Sequence, residues 1–398
     1  HRTDSRFAET VAKSRPMDTT DLRIALFSGN YNYVRDGANG ALNRLVGYLL
    51  RCGAAVRVYS PVVEKPAFAP TGDLVGVPSI AVPGRGEYRV PLRLSGRVKA
   101  DLDAFAPNIV HLSSPDPVAH GALKWARRRG LPVLASVHTR FETYLRYYGL
   151  GFAEPALSAV LRRFYNRCDA LVAPSQSMVD LLLAQGMNQD VSLWTRGVDR
   201  TIFNPARRSL EWRREQGLAD DDFVIGFLGR LVMEKGLDVF CDTIDAIKAA
   251  GLAHRVLVVG EGPARGWFAD RLPDAVFTGF LADADLARAV AGMDVLFNPS
   301  VTEAFGNVTL EAMACGLPVI AANATGATNL VEDGITGRLV APGDLAGFAE
   351  AFRTYSKDPA LRTRHGRAGE AEAATYSWDQ INQAVADTYL RLVSARSG

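Results

Sequence analysis

Residues 298–318 read Asn-Pro-Ser-Val-Thr-Glu-Ala-Phe-Gly-Asn-Val-Thr-Leu-Glu-Ala-Met-Ala-Cys-Gly-Leu-Pro, and this stretch indicates both the fold and the place of its chemistry. It predicts the end of a buried strand, a loop, and a helix that stops at Gly-Leu-Pro before the next strand. Glu303 lies in the loop, Gly306 opens the helix, and Glu311 follows beside an apolar face. Because an unpaired buried carboxylate is costly, Glu311 must face a cleft or a partner. Carboxylates on either side of a helix N-terminus can bind the hydroxyls of a ribose and a hexose, while backbone amides take phosphates.

The same alternation of strand and helix extends along the whole chain. The apolar runs are continuous, as in parallel strands that are buried on both faces. The predicted strands are Arg23–Ser28, Val56–Ser60, Ile109–Ser114, Val133–Thr139, Ala170–Ser175, Val191–Thr195, Phe223–Gly229, Arg255–Gly260, Ala275–Phe280, Val295–Ser300, Pro318–Asn323 and Arg338–Val340. The predicted helices include Ala38–Arg51, Ala153–Arg167, Leu237–Ala250 and Val308–Cys315. The sequence therefore predicts an α/β protein with two facing, Rossmann-like, doubly wound parallel-sheet domains, residues 22–198 and 199–375, and a cleft between them.

Length and composition agree with this organisation. The chain has 398 residues, of which 48% are hydrophobic and 22% charged, which suits two or three packed domains and excludes a disordered tail protein. No apolar run reaches the roughly 18 residues that a membrane-spanning helix needs. The four cysteines show no metal-binding spacing and are predicted to be reduced thiols in a cytosolic protein. Residues 1–20 carry no signal-peptide pattern and are predicted to be an extension outside the fold.

Two further loops after predicted strands carry ligand-binding features. Gly229 ends a strand, and Arg230 and Lys235 follow it before the next helix. Glycine lets a ligand approach the backbone, and two cations at a helix entrance favour a phosphate; a solvated surface pair is the alternative. Gly260 and Glu261 stand in a second strand–glycine–helix turn, where glycine also has a purely steric use.

Together these residues resemble a known family. Glu303 and Glu311, with seven residues between them, match the E-x7-E motif of the retaining glycosyltransferases of family four, which have the two-domain GT-B architecture. Other family positions have counterparts in this chain at Arg230 with Lys235, the Gly260-Glu261 turn, and Gly197-Val198-Asp199 followed by Phe203. The likeness covers residues 22–395, and in detail the chain is most similar to bacterial mannosyltransferases and glycolipid-forming transferases.

The resemblance implies a role for each position in the second domain. Arg230 and Lys235 would neutralise the diphosphate of the departing nucleotide. Glu311 would accept hydrogen bonds from ribose hydroxyls, and Glu303 would bind hydroxyls of the transferred sugar. Further donor contacts, many of them through backbone amides, are implied at Gly229, Gly260, Glu261, Phe305, Gly306, Asn307 and Val308.

In the first domain, the resemblance points to Gly37 and His138. Gly37 would open a helix toward the same diphosphate, although the family often has two adjacent glycines where Asp36-Gly37 stands. His138, at the end of a predicted strand, matches the family's active-site histidine and would hydrogen-bond the donor sugar; alone, such a histidine is more often structural. The family also implies that a final helix, residues 376–395, packs back on the first domain; packing on the second domain alone is the alternative.

The sequence also bears on cofactors and on the acceptor. It has no cluster with metal-ligand spacing, so no metal or other cofactor is expected, and the two cations would supply the charge. Residues 1–195 hold 24 lysines and arginines against 16 aspartates and glutamates, net +8, whereas residues 196–398 hold 21 against 27, net −6. Basic and aromatic residues are interleaved over residues 85–99 and 140–167, which suits an anionic membrane surface; a helix with a solvated basic edge is the alternative.

Together with these features, the family resemblance implies a cytoplasmic, metal-independent, retaining hexosyltransferase, peripheral on the inner face of the cell membrane. The family likeness favours a nucleotide diphosphate sugar as donor, with GDP-mannose as the first expectation, and a membrane lipid as acceptor. A UDP-hexose or UDP-hexuronic acid is the alternative donor. A non-catalytic module that binds a nucleotide sugar or a lipid is the alternative of another class. No nucleic-acid partner is expected, because the total charge is only +2.

Overall fold

The computed structural model describes residues 16–83, 85–139 and 150–397, which contain two parallel β-sheets with their helices. The first domain comprises β1 (Arg23–Phe27), α1 (Gly37–Arg51), β2 (Ala55–Ser60), β3 (Asp73–Gly76), β4 (Ser79–Val82), β5 (Arg85–Pro91), α2 (Gly96–Phe105), β6 (Ile109–Leu112), α3 (Pro117–Arg128), β7 (Val133–Ser136), α4 (Glu154–Asn166), β8 (Ala170–Ala173), α5 (Gln176–Ala184) and β9 (Val191–Leu193). Seven of these strands form a parallel sheet in the order β3-β2-β1-β6-β7-β8-β9.

The second domain repeats this plan with six strands. It comprises α6 (Leu210–Glu215), β10 (Val224–Leu228), α7 (Leu237–Ala249), β11 (Arg255–Val259), α8 (Arg265–Arg271), β12 (Val276–Phe277), α9 (Asp283–Ala291), β13 (Val295–Asn298), α10 (Asn307–Ala314), β14 (Val319–Ala322), β15 (Gly337–Val340), α11 (Leu345–Lys357) and α12 (Pro359–Ala373). Its parallel sheet has the order β12-β11-β10-β13-β14-β15. A last helix, α13 (Trp378–Ser397), follows.

Burial on both faces of each sheet explains why the strands read as continuous apolar runs. In β1, Ala25 and Phe27 belong to one hydrophobic core, whereas Ile24 and Leu26 belong to another on the opposite face. Successive side chains of a strand point to opposite faces, so a sheet covered by helices on both sides requires an apolar residue at every position. The predicted α/β class with two Rossmann-like sheets is confirmed.

The strand order determines where a ligand site can form. In both sheets the order reverses beside the first strand, between β1 and β6 in one domain and between β10 and β13 in the other. Loops that leave neighbouring strands at such a point run to opposite faces and leave a crevice at the carboxyl ends of the strands. The crevices of the two domains therefore provide the walls of a cleft.

The last helix contacts the first domain. Val385, Ala386 and Tyr389 of α13 share a hydrophobic core with α1 and the first sheet. At the surface of this contact, the Arg44 guanidinium lies 4.9 Å from the centroid of the Trp378 ring, and Arg391 pairs with Asp190 at 2.8 Å. The chain thus returns to the domain in which it began, while the predicted boundary at residues 198 and 199 stays a prediction.

Two parts of the first domain differ from the sequence-based expectation, and a third part lies outside the described residues. Strand β3 and an antiparallel hairpin formed by β4 and β5 were not predicted, because these short strands are half-exposed and lack a continuous apolar run. Residues 16–20, expected to be an extension, are part of the fold: Asp18 caps the turn Thr19–Asp21, and Met17 packs against the core that includes α13. Residues 140–149, which hold part of the predicted basic-aromatic segment, lie outside the described residues.

Across the described ranges, no helix combines the length and apolar character needed to cross a bilayer.

Candidate active site

The carboxyl ends of the two sheets border a cleft of about 1850 Å³, lined by residues of both domains. Ten of the thirteen site residues predicted from the sequence line it, namely Gly37, His138, Gly229, Arg230, Lys235, Glu303, Phe305, Gly306, Asn307 and Val308. The other three, Gly260, Glu261 and Glu311, are not among the residues that line it. The structure therefore brings most of the predicted set to one surface.

Lys235 and Glu303 form an ion pair on the second-domain wall of the cleft. Lys235 Nζ lies 3.1 Å from Glu303 Oε1, and Asn298 Nδ2 donates to Glu303 Oε2 at 3.0 Å. The side chain of Glu303 is only 9% exposed, so both carboxylate oxygens are held by partners in a largely desolvated position. This arrangement fixes the direction of the carboxylate and leaves the ammonium group at the cleft surface.

Arg230 reaches across the cleft to the β4–β5 hairpin. Its Nη1 donates to Tyr88 Oη at 2.7 Å, and its Nη2 lies 3.7 Å from Glu87 Oε1. The side chains of Arg230 and Glu87 are more than a third exposed, so their ion pair is weak, and an anionic ligand can take the place of Glu87. Gly229, with φ of +146°, makes the turn that places Arg230 here.

Helix α10 begins at the cleft with no side chain capping its N-terminus. Its first residue, Asn307, follows Gly306, whose φ of +97° suits glycine. The partial positive charge of a helix N-terminus favours anions there. The neighbouring Phe305 is only 5% exposed and packs into the domain core, so its backbone alone is available to a ligand.

The two walls approach most closely where Gly37 faces Asn307. A Cβ atom placed on Gly37 would lie 2.3 Å from Asn307 Nδ2, well inside contact distance. Asp36 holds Gly37 at the start of α1 by accepting a hydrogen bond from the Asn39 backbone N–H at 2.8 Å. A side chain at this position would therefore require Asn307 to shift.

Glu311 lies half-buried on α10 and is not among the residues that line the cleft. Burial raises the pKa of its carboxyl to about 7, and the positive charge of Arg44 in the first domain opposes that rise. A carboxyl group with this pKa changes charge near neutral pH.

Gly260 and Glu261 lie in the loop after β11, next to the loop after β10 that carries Arg230. A Cβ atom on Gly260 would lie 1.9 Å from the carbonyl oxygen of Gly229, so this glycine allows the loops after β10 and β11 to pack together. The Glu261 carboxylate lies 3.6 Å from Arg265 Nε and is about half exposed. The structure thus supports the steric use of Gly260, and the donor contacts implied for both residues stay predictions.

His138 belongs to a chain of buried hydrogen bonds in the first domain. Its Nε2 lies 2.9 Å from Ser136 Oγ, which lies 2.8 Å from His111 Nε2, and His111 Nδ1 lies 2.5 Å from Tyr389 Oη on α13. His138 Nδ1 lies 3.0 Å from Nη2 of Arg196. A guanidinium group can only donate, so Nδ1 accepts and the imidazole is neutral. Burial also lowers the pKa of His138 well below its ordinary value.

Arg196, Tyr88, Glu87 and Asn298 are site residues that the sequence-based prediction missed. Arg196 lines the cleft and is only 4% exposed. A usable signal was present, since Arg196 is a charged residue that follows an apolar strand and directly precedes the Gly197-Val198-Asp199 motif. Tyr88 and Glu87 gave no such signal, because their place depends on a hairpin that folds against the other domain.

Two facing parallel-sheet domains with a cleft between them are the arrangement of the GT-B fold. In agreement, residues 35–201 match the family model "Glycosyltransferase Family 4", and residues 222–358 match "Glycosyl transferases group 1". The chain belongs to this family of glycosyltransferases, and it is a hexosyltransferase that uses a nucleotide sugar. The resemblance inferred from Glu303, Glu311, Arg230 and Lys235 is therefore confirmed.

Two relatives illustrate the range of the family. The chain is 33% identical over 383 residues to the GDP-mannose-dependent alpha-mannosyltransferase of Mycolicibacterium smegmatis, covering 94% of this chain and 99% of the relative. It is 31% identical over 367 residues to the sulfoquinovosyl transferase SQD2 of Arabidopsis thaliana, covering 89% of this chain and 71% of the relative.

Solved structures show the same fold. Sucrose-phosphate synthase from Thermosynechococcus elongatus superposes with a TM-score of 0.72 at 21% identity, covering 94% of this chain and 99% of the other. HepE of Anabaena, in complex with UDP and glucose, superposes with a TM-score of 0.69 at 19% identity, covering 92% and 99%.

Proposed function

We propose that this chain transfers a hexose, with retention at the anomeric carbon and without a metal, from a nucleotide diphosphate sugar to a membrane lipid. The observation that carries the proposal is the convergence of Arg230, Lys235 and the uncapped N-terminus of α10 on one cleft. Two full charges and a helix dipole favour the diphosphate, and they favour it most when it leaves with its extra negative charge.

The sugar end of the donor is assigned to the surroundings of Glu303. Its carboxylate is aligned by Lys235 and Asn298, so it can accept hydrogen bonds from sugar hydroxyls without reorganising. In the retaining reaction that the family implies, the acceptor hydroxyl attacks the face from which the diphosphate departs. The leaving phosphate then takes the hydroxyl proton, so no protein base is required.

Two kinds of donor are candidates, and they differ in the nucleotide and in the sugar. Relatives named as GDP-mannose-dependent mannosyltransferases support GDP-mannose, the first expectation. The relative named as a sulfoquinovosyl transferase supports an acidic hexose, and the complexes of HepE with UDP and UDP-glucose support a uridine nucleotide. The buried cation Arg196 on the cleft wall favours the acidic hexose.

A lipid acceptor at a membrane surface is supported by the first domain. Apolar side chains of the β4–β5 hairpin and the segment after it are exposed, with Ile80 at 53% and Leu92 at 45%, and Phe152 beyond residues 140–149 is 82% exposed. Arg93 and Arg97 lie next to the hairpin segment in sequence. Apolar side chains bordered by arginines suit reversible docking on anionic headgroups, which is how the protein would be peripheral to a membrane.

The proposal is tested by transfer to vesicles. Purified protein is incubated with each candidate donor and phosphatidylglycerol vesicles that contain diacylglycerol, in excess EDTA, and the anomeric configuration of the glycolipid is read by NMR. We expect an α-linked product from an α-linked donor and undiminished activity in EDTA. An inverted product, a requirement for added metal, or transfer only to water-soluble acceptors would contradict the proposal.

A further inference from the structure

Arg196 is a buried residue, only 4% exposed, that carries a positive charge. Among the residues that the structure describes, none forms an ion pair with it. Burial lowers the pKa of Arg196 to about 10, so the group is still charged at neutral pH. Since burying a charge is costly unless it is paired, this position calls for an explanation.

The hydrogen bonds that Arg196 makes are all to neutral acceptors. Nη1 donates to the carbonyl oxygens of Trp194 at 3.0 Å and Thr195 at 3.4 Å, and Nη2 donates to His138 Nδ1 at 3.0 Å. The guanidinium also lies 4.9 Å from the centroid of the Trp194 ring. These contacts hold its plane in place, but they leave the Nε–H and one Nη2–H without a hydrogen-bond partner in the described part of the chain.

A nearby carboxylate does not neutralise Arg196. Asp36 is close enough for its negative charge to raise the pKa of the guanidinium, but its oxygens accept hydrogen bonds from Asn39 N and Asn30 Nδ2, and it forms no ion pair with Arg196. Arg196 and Asp36 line the same cleft as Asn307 of the second domain. The arginine is therefore on the surface where the predicted donor-binding residues lie.

We propose that Arg196 is the receptor for an acidic group, a carboxylate or a sulfonate, on the sugar that the enzyme transfers. This inference rests on the proposed function, because it takes the cleft to hold a nucleotide diphosphate sugar. The positive charge of Arg196 would pair with the negative charge of the ligand. A guanidinium can also donate hydrogen bonds to two oxygens of a carboxylate or sulfonate. The donor is then an acidic hexose nucleotide rather than a neutral one.

His138 is a positioning residue in this arrangement. Its Nδ1 accepts from Arg196, and its other nitrogen is anchored through Ser136 and His111 to Tyr389. Because Ser136 holds the other ring nitrogen of His138, the neutral imidazole can align the guanidinium without adding a second positive charge. Because both ring nitrogens have protein partners, a direct sugar contact by His138 would require one of these hydrogen bonds to break.

Donor pairs that differ only in the acidic group test the proposal. UDP-glucose and UDP-glucuronic acid form one pair, and GDP-mannose and GDP-mannuronic acid form the other. Affinity is measured by calorimetry, and kcat and KM by transfer, for the wild type, Arg196→Met, Arg196→Lys and the exposed control Arg200→Met. We expect the wild type to prefer the acid of at least one pair by about tenfold or more, as a charged hydrogen-bonded pair allows. Arg196→Met abolishes the preference, Arg196→Lys keeps part of it, and Arg200→Met keeps it whole.

Free UDP and GDP separate this inference from the proposed function. If Arg196→Met binds the free nucleotide within about threefold of the wild type and melts at a similar temperature, the loss of acid preference reports on the sugar subsite. A wild type that binds donors but prefers neither acid overturns the inference and leaves the proposed function standing. Equal loss of free nucleotide and acidic donor in Arg196→Met, or a preference that follows the charge of the acceptor lipid, also overturns it. Absence of nucleotide binding in the wild type contradicts the proposed function itself.

Discussion

The cleft holds positive charges in two different ways. On the second-domain wall, Lys235 is paired with Glu303 and Arg230 contacts Tyr88 and Glu87, and all of these side chains except Glu303 are partly exposed. On the first-domain wall, Arg196 is buried, and its hydrogen-bond acceptors within the described ranges are all neutral. The first arrangement suits a ligand that exchanges partners as it enters and leaves. The second suits a ligand that brings the missing charge with it.

This difference separates two tasks of a glycosyltransferase. Charge develops on the diphosphate during the reaction, so cations that are accessible and already oriented stabilise the transition state more than the ground state. The charge of an acidic sugar does not change during transfer, so a buried cation contributes to the choice of substrate instead. The predictions below test each wall and the contact between them.

Lys235→Ala removes a cation from the second-domain wall and is expected to have the largest effect. We expect kcat to fall by roughly 10²–10³-fold, the usual loss when one oriented donor to a developing negative charge is removed. Initial rates at saturating donor measure it. Lys248→Ala is the matched control, because Lys248 is an exposed lysine of α7, 69% exposed and away from the cleft lining. Equal rates for the two variants would contradict a role of Lys235 in stabilising the diphosphate.

Gly37→Ala tests the place where the walls touch. The new Cβ atom would lie 2.3 Å from Asn307 Nδ2, so Asn307 must move or the domains must separate. We expect kcat/KM to fall by about tenfold, since small displacements of aligned groups are costly to rate. Gly40→Ala on the same helix meets nothing within 4 Å and should keep full activity with slightly higher thermal stability. Matching losses in both variants would indicate damage to α1 itself.

Glu311→Gln is expected to have a smaller, pH-dependent effect. The pKa of about 7 means that Glu311 is ionised at pH 8 and largely protonated at pH 6. If the carboxylate accepts hydrogen bonds from ribose hydroxyls, the wild type binds UDP or GDP about three- to tenfold tighter than Glu311→Gln at pH 8, and the gap closes at pH 6. Calorimetry at the two pH values measures this, and the variant corrects for titration of the phosphate. A gap that does not change with pH would contradict the role.

The same shift predicts a stability effect. The folded-state pKa of Glu311 lies above the ordinary value of 4.5, so the folded chain binds more protons than the unfolded chain between pH 4.5 and about 7. The contribution of Glu311 to the free energy of unfolding therefore falls as pH rises through this window. Chemical unfolding of wild type and Glu311→Gln at pH 5 and pH 8 should show a steeper decline in the wild type, and parallel declines would show that the carboxyl is not shifted.

Most of the fold was predictable because a strand that is buried on both faces of a sheet appears in the sequence as a continuous apolar run. The loops after β10 and β13 were predictable for a related reason, since Gly229 precedes Arg230 at the end of a strand and Gly306 precedes Asn307 at the start of a helix. The E-x7-E spacing predicted both glutamates at the site, whereas Glu303 lines the cleft and Glu311 is not among the lining residues. Spacing in sequence does not report which residues of a loop and of the helix after it line a cleft that a second domain completes.

The first-domain wall was harder to predict because its key contacts join distant parts of the chain. Arg196 meets His138 across 58 positions, and Arg230 meets Tyr88 across 142. The hairpin that carries Tyr88 lacks the apolar run that identifies a buried strand. That Arg196 has no anionic partner in the part of the chain that the structure describes is a property of packing, so no sequence pattern reports it.

The most direct test of the central claim, that the cleft binds a nucleotide through its diphosphate, is a calorimetric comparison of UDP with UMP and of GDP with GMP. Wild type and the double variant Arg230→Ala/Lys235→Ala are titrated under the same buffer conditions. We predict that the wild type prefers one diphosphate over its monophosphate by at least about tenfold, and that the double variant loses this preference while it still binds the monophosphate. A double variant that keeps the wild-type ratio of diphosphate to monophosphate affinity would contradict the claim.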